Sequence, residues 1–249
     1  MGLFKKITAY FLAQFGFRMV KSPRRAILDD PDSHLEVRLE YVVYHHLEKI
    51  KERPFYIVQI GAYDGISFDD AVNDLLEDSR FQGLLVEPQP AVFNRLQKEY
   101  KGNGRVILEN MAVAEEDGEV TLYTFDTSDP DLPNWFEGCA SFDKEVALKF
   151  ADHYPKAREN LLTLQVPGLT LKSLLSKHQF QEVDYLQVDV EGFDYEVIKM
   201  VDFENGKPAI IRFEKLHLTS DDLERCFDLL IENGYKIAIE EQDILAYAG

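Results

Sequence analysis

Val188-Asp-Val-Glu-Gly-Phe-Asp194 sets two carboxylates, Asp189 and Glu191, two positions apart at the end of an apolar run. On a strand, side chains two apart share a face, so both acids project from the same sheet edge. Like charges held that close repel unless they share a cation, a proton or a polar ligand. A second apolar run ends at Glu214, and His217 follows three residues later; a carboxylate beside an imidazole can accept a proton. Asp189 and Glu191, and after them Glu214 and His217, are therefore the candidates for taking a proton from a reacting hydroxyl. The alternative is that the same four hold a divalent ion such as Mg²⁺, which suits carboxylates and would orient a diol substrate. The adjacent pair His45-His46 lies on an expected helix, where the two rings diverge, and is assigned no role.

Nearer the amino terminus, Ile60-Gly-Ala-Tyr-Asp-Gly65 joins an expected strand to an expected helix. Glycines at 61 and 65 let the backbone turn tightly and let a ligand approach it. The spacing is G-x-x-x-G, not the G-x-G-x-x-G of dinucleotide binders. Glu87 closes the next strand, 26 residues beyond Gly61. The two oxygens of a carboxylate match the vicinal hydroxyls of a ribose, and Pro88 and Pro90 stiffen the segment behind it. Together these features indicate a nucleoside-type ligand at the point where a doubly wound sheet changes direction.

The elements that must position these groups alternate. Strands are expected at Phe55–Ile60, Gly83–Glu87, Arg105–Val113, Glu119–Phe125, Asp184–Val190 and Ala209–Glu214. Helices are expected at Phe68–Glu77, Pro90–Tyr100, Thr170–His178, Phe193–Val201 and from the capping box Thr219-Ser-Asp-Asp222 to Asn233. Strand–helix alternation implies parallel strands joined by right-handed crossovers, an α/β sandwich. Lys236–Glu240 and Ile244–Ala248 are too close for a crossover and are expected to form an antiparallel hairpin. Residues 1–53 form a helical preface, with a helix over Leu35–Lys51, ahead of a domain over 54–249. Residues 126–167 interrupt the alternation as an insertion containing the only tryptophan, Trp135. It is read as a substrate wall or lid, or else as a surface excursion with its own small core.

Composition narrows the field. The 249 residues allow one large domain or two small ones. With 45% apolar and 12% aromatic residues, the chain is not intrinsically disordered. A net charge of −18 argues against a general nucleic-acid binder. Two cysteines, Cys139 and Cys226, cannot make a disulfide framework or a cysteine-ligated zinc site, and fit a reducing, cytoplasmic setting. Residues 1–25 carry six bases and no acid, with Leu3, Ile7, Phe11 and Phe15 at helical spacing. That segment is too short to span a bilayer, is not expected to be a cleaved leader, and is read as a packing helix. An interfacial helix giving peripheral contact with an anionic membrane is the alternative.

The ordered set Val58-Gln-Ile-Gly-Ala-Tyr-Asp-Gly65, Leu85-Val-Glu-Pro-Gln-Pro90, Asn110-Met-Ala-Val113, Asp189-Val-Glu-Gly-Phe-Asp194 and Phe213-Glu214 resembles the FkbM-type S-adenosylmethionine-dependent methyltransferases over residues 55–249. The resemblance implies a class I methyltransferase-like, Rossmann-like α/β fold: a doubly wound seven-stranded sheet with a C-terminal antiparallel hairpin. It implies S-adenosylmethionine as cofactor, with the loop of Gly61, Ala62, Asp64 and Gly65 against its methionine part. Glu87 would hold the ribose, Asn110, Met111 and Ala112 would border the adenine, and Asp189 would sit beside the reactive methyl. Gln59 stands where many related enzymes carry an acid. The expected activity is O-methylation of a hydroxyl on a sugar, glycan or secondary metabolite. Two alternatives are a nicotinamide-dependent oxidoreductase, disfavoured by the missing third glycine, and a non-catalytic membrane-associated binding module, disfavoured by the retained Asp189 and Glu191.

Overall fold

The computed structural model describes residues 39–50, 53–67, 71–240 and 242–248. The chain falls into two compact units, Met1–Lys51 and Glu52–Gly249. In the first, the described residues form one helix, Leu39–Lys49. The basic amphipathic segment 1–25, the opening of the helix expected over Leu35–Lys51 and residues 68–70 of the helix expected at Phe68–Glu77 lie outside the described residues. Among those described, no helix is long and apolar enough to cross a membrane.

In the second unit, seven strands build one sheet: β1 (Phe55–Ile60), β2 (Phe81–Val86), β3 (Val106–Glu109), β7 (Tyr185–Val188), β8 (Ile210–Glu214), β9 (Tyr235–Ile239) and β10 (Asp243–Ala248). A separate three-stranded sheet contains β4 (Ala112–Val113), β5 (Gly118–Phe125) and β6 (Leu161–Leu169). The large sheet runs β3-β2-β1-β7-β8-β10-β9. All neighbours are parallel except around β10, which is antiparallel to both β8 and β9. The chain moves outward from β1 to β3, then returns to lay β7 on the other side of β1. The switch point therefore lies between the carboxyl ends of β1 and β7, the position where doubly wound sheets bind ligands.

Local sequence explains the frame. Phe55, Ile57, Val58 and Ile60 are all at or below 1% exposure, because a parallel strand covered on both faces buries every side chain. On the face of Val58 and Ile60 the core continues through Leu84, Val86, Leu186, Val188, Ile211 and Phe213 to Leu174, Val197 and Leu230 on the covering helices. Thr219 Oγ1 accepts the Asp222 N–H and caps the helix Ser220–Glu232, as the Thr219-Ser-Asp-Asp222 pattern predicts. At the end of the sheet away from the switch point, Asp184 takes both Arg53 guanidinium nitrogens and the Tyr56 N–H, which ties β7 to β1.

Three strand expectations change. The strand expected over Asp184–Val190 ends at Val188, so Asp189 lies just past β7 and Glu191 in the turn beyond it at φ +52°; strand alternation therefore does not aim the two acids. Arg105–Val113 is not one strand but two, β3 in the large sheet and β4 in the small one. Asn110 breaks it, its Nδ2 donating to the carbonyls of Glu87 at 2.8 Å and Pro88 at 3.1 Å. Glu119–Phe125 forms, as β5, but leaves the large sheet to pair antiparallel with β6 along its whole length. The insertion therefore ends in a strand, and its remainder is helical: a 3-10 turn at Asn134–Glu137 and helices Lys144–Phe150 and Pro155–Glu159. Phe125, Leu132, Phe136, Cys139, Ala147, Ala151 and Ala157 give it a core of its own.

Candidate active site

The bend after β1 is fixed by its neighbours. The N–H groups of Gly61 and Ala62 both donate to Val86 O at the end of β2, and Asp189 N–H donates to Ile60 O. Gly61 has φ +83°, and a Cβ there would lie 1.8 Å from the Asp189 carbonyl oxygen. Only glycine lets the end of β7 come this close. Gly65, at φ +81°, is required for a different reason: a Cβ would meet the Tyr100 ring at 2.7 Å and a Leu96 methyl at 2.8 Å.

A cavity of about 370 Å³ opens at this switch point, within the range of small-molecule sites. Gly61, Tyr63 and Glu87 line one part, Met111 and Ala112 another, and Asp189, Glu191 and Glu214 a third. The insertion closes over it with Trp135, Cys139, Ala140 and Phe142. The sequence-derived residues therefore sort into two groups. Gly61, Glu87, Met111, Ala112, Asp189, Glu191 and Glu214 share the cavity wall. The others sit behind it: Ala62 is buried under the bend, Gly65 packs on the helix Pro90–Glu99, and Asn110 holds the backbone beyond β2. Asp64 turns into its own loop, accepting from Ser67 N–H at 2.9 Å and Ser67 Oγ at 2.8 Å. His217 also lies off the wall but touches it, with Nε2 3.2 Å from Glu191 Oε2 and 4.0 Å from Glu214 Oε2.

Glu87 is 4% exposed. One carboxylate oxygen accepts Tyr63 N–H at 3.1 Å and the other accepts Gln89 N–H at 2.8 Å. Each oxygen keeps further lone-pair capacity. Burial pushes its pKa up to about 8 against the two N–H groups that favour the charge, and the Glu137 carboxylate adds to the rise.

Sequence reasoning missed the brace behind Glu87. Glu137, in the insertion, receives Arg95 Nη2 at 2.5 Å and the Tyr63 hydroxyl at 3.2 Å, while Gln89 Nε2 donates to its carbonyl at 2.8 Å. The partners lie 42 to 74 positions away, and no local spacing signals such a pairing. The Gln89 in Glu87-Pro-Gln-Pro90 was the available clue, since it caps no helix with its side chain.

The acidic edge is held as firmly. Glu191 adopts φ +52° and Gly192 φ +96°, and Ser141 Oγ donates to Glu191 O at 3.0 Å. A non-glycine residue held in the left-handed region costs about 1–3 kcal/mol and persists where the surroundings impose it. Asp194 is wholly buried; burial first, then the Asp189 charge, raises its pKa to about 8. Burial together with Asp189 and Asp194 lifts Glu214 to about 8, and burial with Glu214 lifts Glu191 well above the carboxylate range. Burial and the nearby Lys149 charge lower His217, so its imidazole is held neutral. Near neutral pH the raised carboxyls keep their protons, beside an imidazole that carries none.

Comparison with known proteins identifies a family. A family model described as the methyltransferase FkbM domain matches residues 59–237. No curated protein sequence matches the chain. Among solved structures, a precorrin-6y C5,15-methyltransferase from Geobacter metallireducens is 14% identical with a TM-score of 0.38, the match covering 86% of this chain and 92% of that one. A SAM-dependent O-methyltransferase from Thermotoga maritima is 9% identical with a TM-score of 0.40, covering 92% and 72%. An Aeropyrum pernix fibrillarin, in complex with natively bound S-adenosyl-L-methionine, is 11% identical with a TM-score of 0.40, covering 79% and 67%.

Proposed function

The chain belongs to the FkbM methyltransferase family, S-adenosylmethionine-dependent enzymes, and from that premise we propose that it methylates a hydroxyl oxygen on a sugar, glycan-linked or secondary-metabolite acceptor. The observation that carries the reading is the placement of Glu87. Its carboxylate reaches the loop after β1 and shares one cavity with Gly61 on one side and Asp189, Glu191 and Glu214 on the other. The residues fit the cofactor: a buried carboxylate with spare acceptor capacity for a diol, the apolar Met111 and Ala112 for a base, and room between them and the acids.

S-adenosylmethionine supplies a methyl group already activated by its positive sulfur. The chain's part is then placement and proton removal. Glu87 accepts from the ribose hydroxyls, and the Gly61 loop lies against the methionine end. Asp189 takes the proton that the acceptor oxygen loses as it gains the methyl. Trp135 and Phe142 wall the acceptor side; Trp135 stays 38% exposed while stacked on Phe136 at 4.1 Å.

Two outcomes follow. Binding needs Glu87 ionised, both to accept two hydroxyls and to face a cation, whereas burial holds the free protein's carboxyl near pH 8. Cofactor affinity should therefore rise as pH rises toward 8, by up to about tenfold per unit, and level off above it. Calorimetry across pH, with proton release read from buffers of different ionisation enthalpy, checks this; Glu87→Gln should remove the slope. The reaction itself is tested by S-adenosylhomocysteine release against a panel of free sugars, glycosides and hydroxylated metabolites. Turnover should depend on the acceptor, and Asp189→Asn should lower kcat by about 100-fold or more while cofactor affinity changes little. Methyl recovered on nitrogen or carbon would overturn the assignment to oxygen.

A further inference from the structure

Three of the clustered side chains carry a second consequence, which rests on the methyl-transfer reading for its purpose. We propose that Glu191, Glu214 and His217 together hold a divalent first-row transition ion in the wall of the cavity, with its open positions toward the acceptor. One carboxylate oxygen from each glutamate and one nitrogen of the histidine lie within 4.8 Å of one another. His217 Nε2 stands 3.2 Å from Glu191 Oε2 and 4.0 Å from Glu214 Oε2. Neighbouring donors around a six-coordinate ion with bonds of about 2.1 Å stand about 3 Å apart, so the trio needs only a small contraction.

A second observation points to a ligand. Glu191 Oε2 and Glu214 Oε2 are both shut off from solvent, and neither has a hydrogen-bond partner. Although the side chains keep 19% and 12% of their surface, the oxygens themselves keep none. Leaving two buried carboxylate oxygens without a donor is costly, and one cation satisfies both. Among the described residues, no lysine or arginine forms an ion pair with Glu191, Asp194 or Glu214. The trio is also held in place from outside: Ser141 ties the Glu191 backbone, and the Phe150 ring packs on His217 at 4.6 Å.

The donor set selects the ion. An imidazole beside two carboxylates suits a transition ion such as Mn²⁺ better than Mg²⁺ or Ca²⁺, which prefer oxygen throughout. His217 thereby shifts the choice away from the Mg²⁺ that carboxylates alone suggest. With three protein donors, positions remain for two neighbouring oxygens, so the acceptor class is a vicinal diol or hydroxy-carbonyl compound. Asp189 is left as the proton acceptor.

Electron paramagnetic resonance titration of the full chain with Mn²⁺ tests the site. The expected result is one bound ion per chain, with nitrogen modulation from a bound imidazole in the pulsed spectrum of the unaltered protein. His217→Ala and Glu214→Gln should each weaken binding at least about tenfold. Glu87→Ala should lose cofactor binding and keep Mn²⁺. Loss of nitrogen modulation, binding indifferent to both variants, or Mg²⁺ competing as well as Mn²⁺ would each overturn the site. S-adenosylmethionine titrated into the same samples separates the two readings: Mn²⁺ bound with no cofactor binding defeats methyl transfer, and the reverse defeats the ion.

Discussion

Replacing Glu87 by alanine should weaken S-adenosylmethionine binding by about 100-fold or more, with little change in melting temperature. Each hydrogen bond to a charged group contributes about 1.5–3 kcal/mol, so loss of two to a ribose amounts to about two orders of magnitude or more in Kd. The fold should tolerate the change because the carboxyl is itself costly to bury, as its pKa of about 8 records. Removing it leaves the N–H groups of Tyr63 and Gln89 facing a cavity that water can enter. Glu87→Gln is a sharper probe. Its amide must turn an N–H₂ toward one of those two donors, so it keeps shape yet should still bind far more weakly than the native protein. Calorimetry gives the affinities and circular dichroism the melting temperatures. An affinity within threefold of native for Glu87→Ala would remove the carboxylate from the cofactor site.

Gly61→Ala should be the most damaging single methyl added to the fold. The new Cβ would lie 1.8 Å from Asp189 O and 2.9 Å from its carbonyl carbon, at φ +83°. Left-handed backbone with a Cβ costs about 1–2 kcal/mol, and forcing a methyl into packed backbone adds about 1–3 kcal/mol or more. For a domain of this size that corresponds to a fall of about 10 °C in Tm. Gly102→Ala is the matched control: the same φ, +84°, with nothing within 4 Å, and so only the backbone cost. Thermal unfolding of both separates contact from conformation. If the two melt together, the Gly61–Asp189 approach does not constrain this edge of the sheet.

The large sheet was legible because its information is local. Mostly apolar runs such as Phe55–Ile60, stopped by Gly61, and a cap at Thr219 mark buried parallel strands and helix starts. The small sheet was not. β6 contains Pro167 and Gly168, residues that argue against a strand, and its partner lies across the insertion. The run Arg105–Val113 is apolar on both sides of Glu109-Asn110, and the bonds of Asn110 to the carbonyls of Glu87 and Pro88 mark where it divides between two sheets. The site follows the same rule. Glu87 and Asp189 directly follow β2 and β7, where an apolar run stopping at an acid exposes them, while Glu191 is aimed by the left-handed turn beyond β7, which strand spacing does not reveal. Glu137 braces the site through partners far away in sequence, and the purpose of Gly65 emerges only when Tyr100 and Leu96 are seen against it.

Glu87 and the bend at Gly61 are proposed to bind S-adenosylmethionine. Calorimetric titration of the folded, full-length chain with that cofactor and with S-adenosylhomocysteine tests it most directly. One saturable site for both, with no heat from reduced nicotinamide cofactor, is the expected result. No binding of either, or saturable binding of the nicotinamide instead, would contradict it.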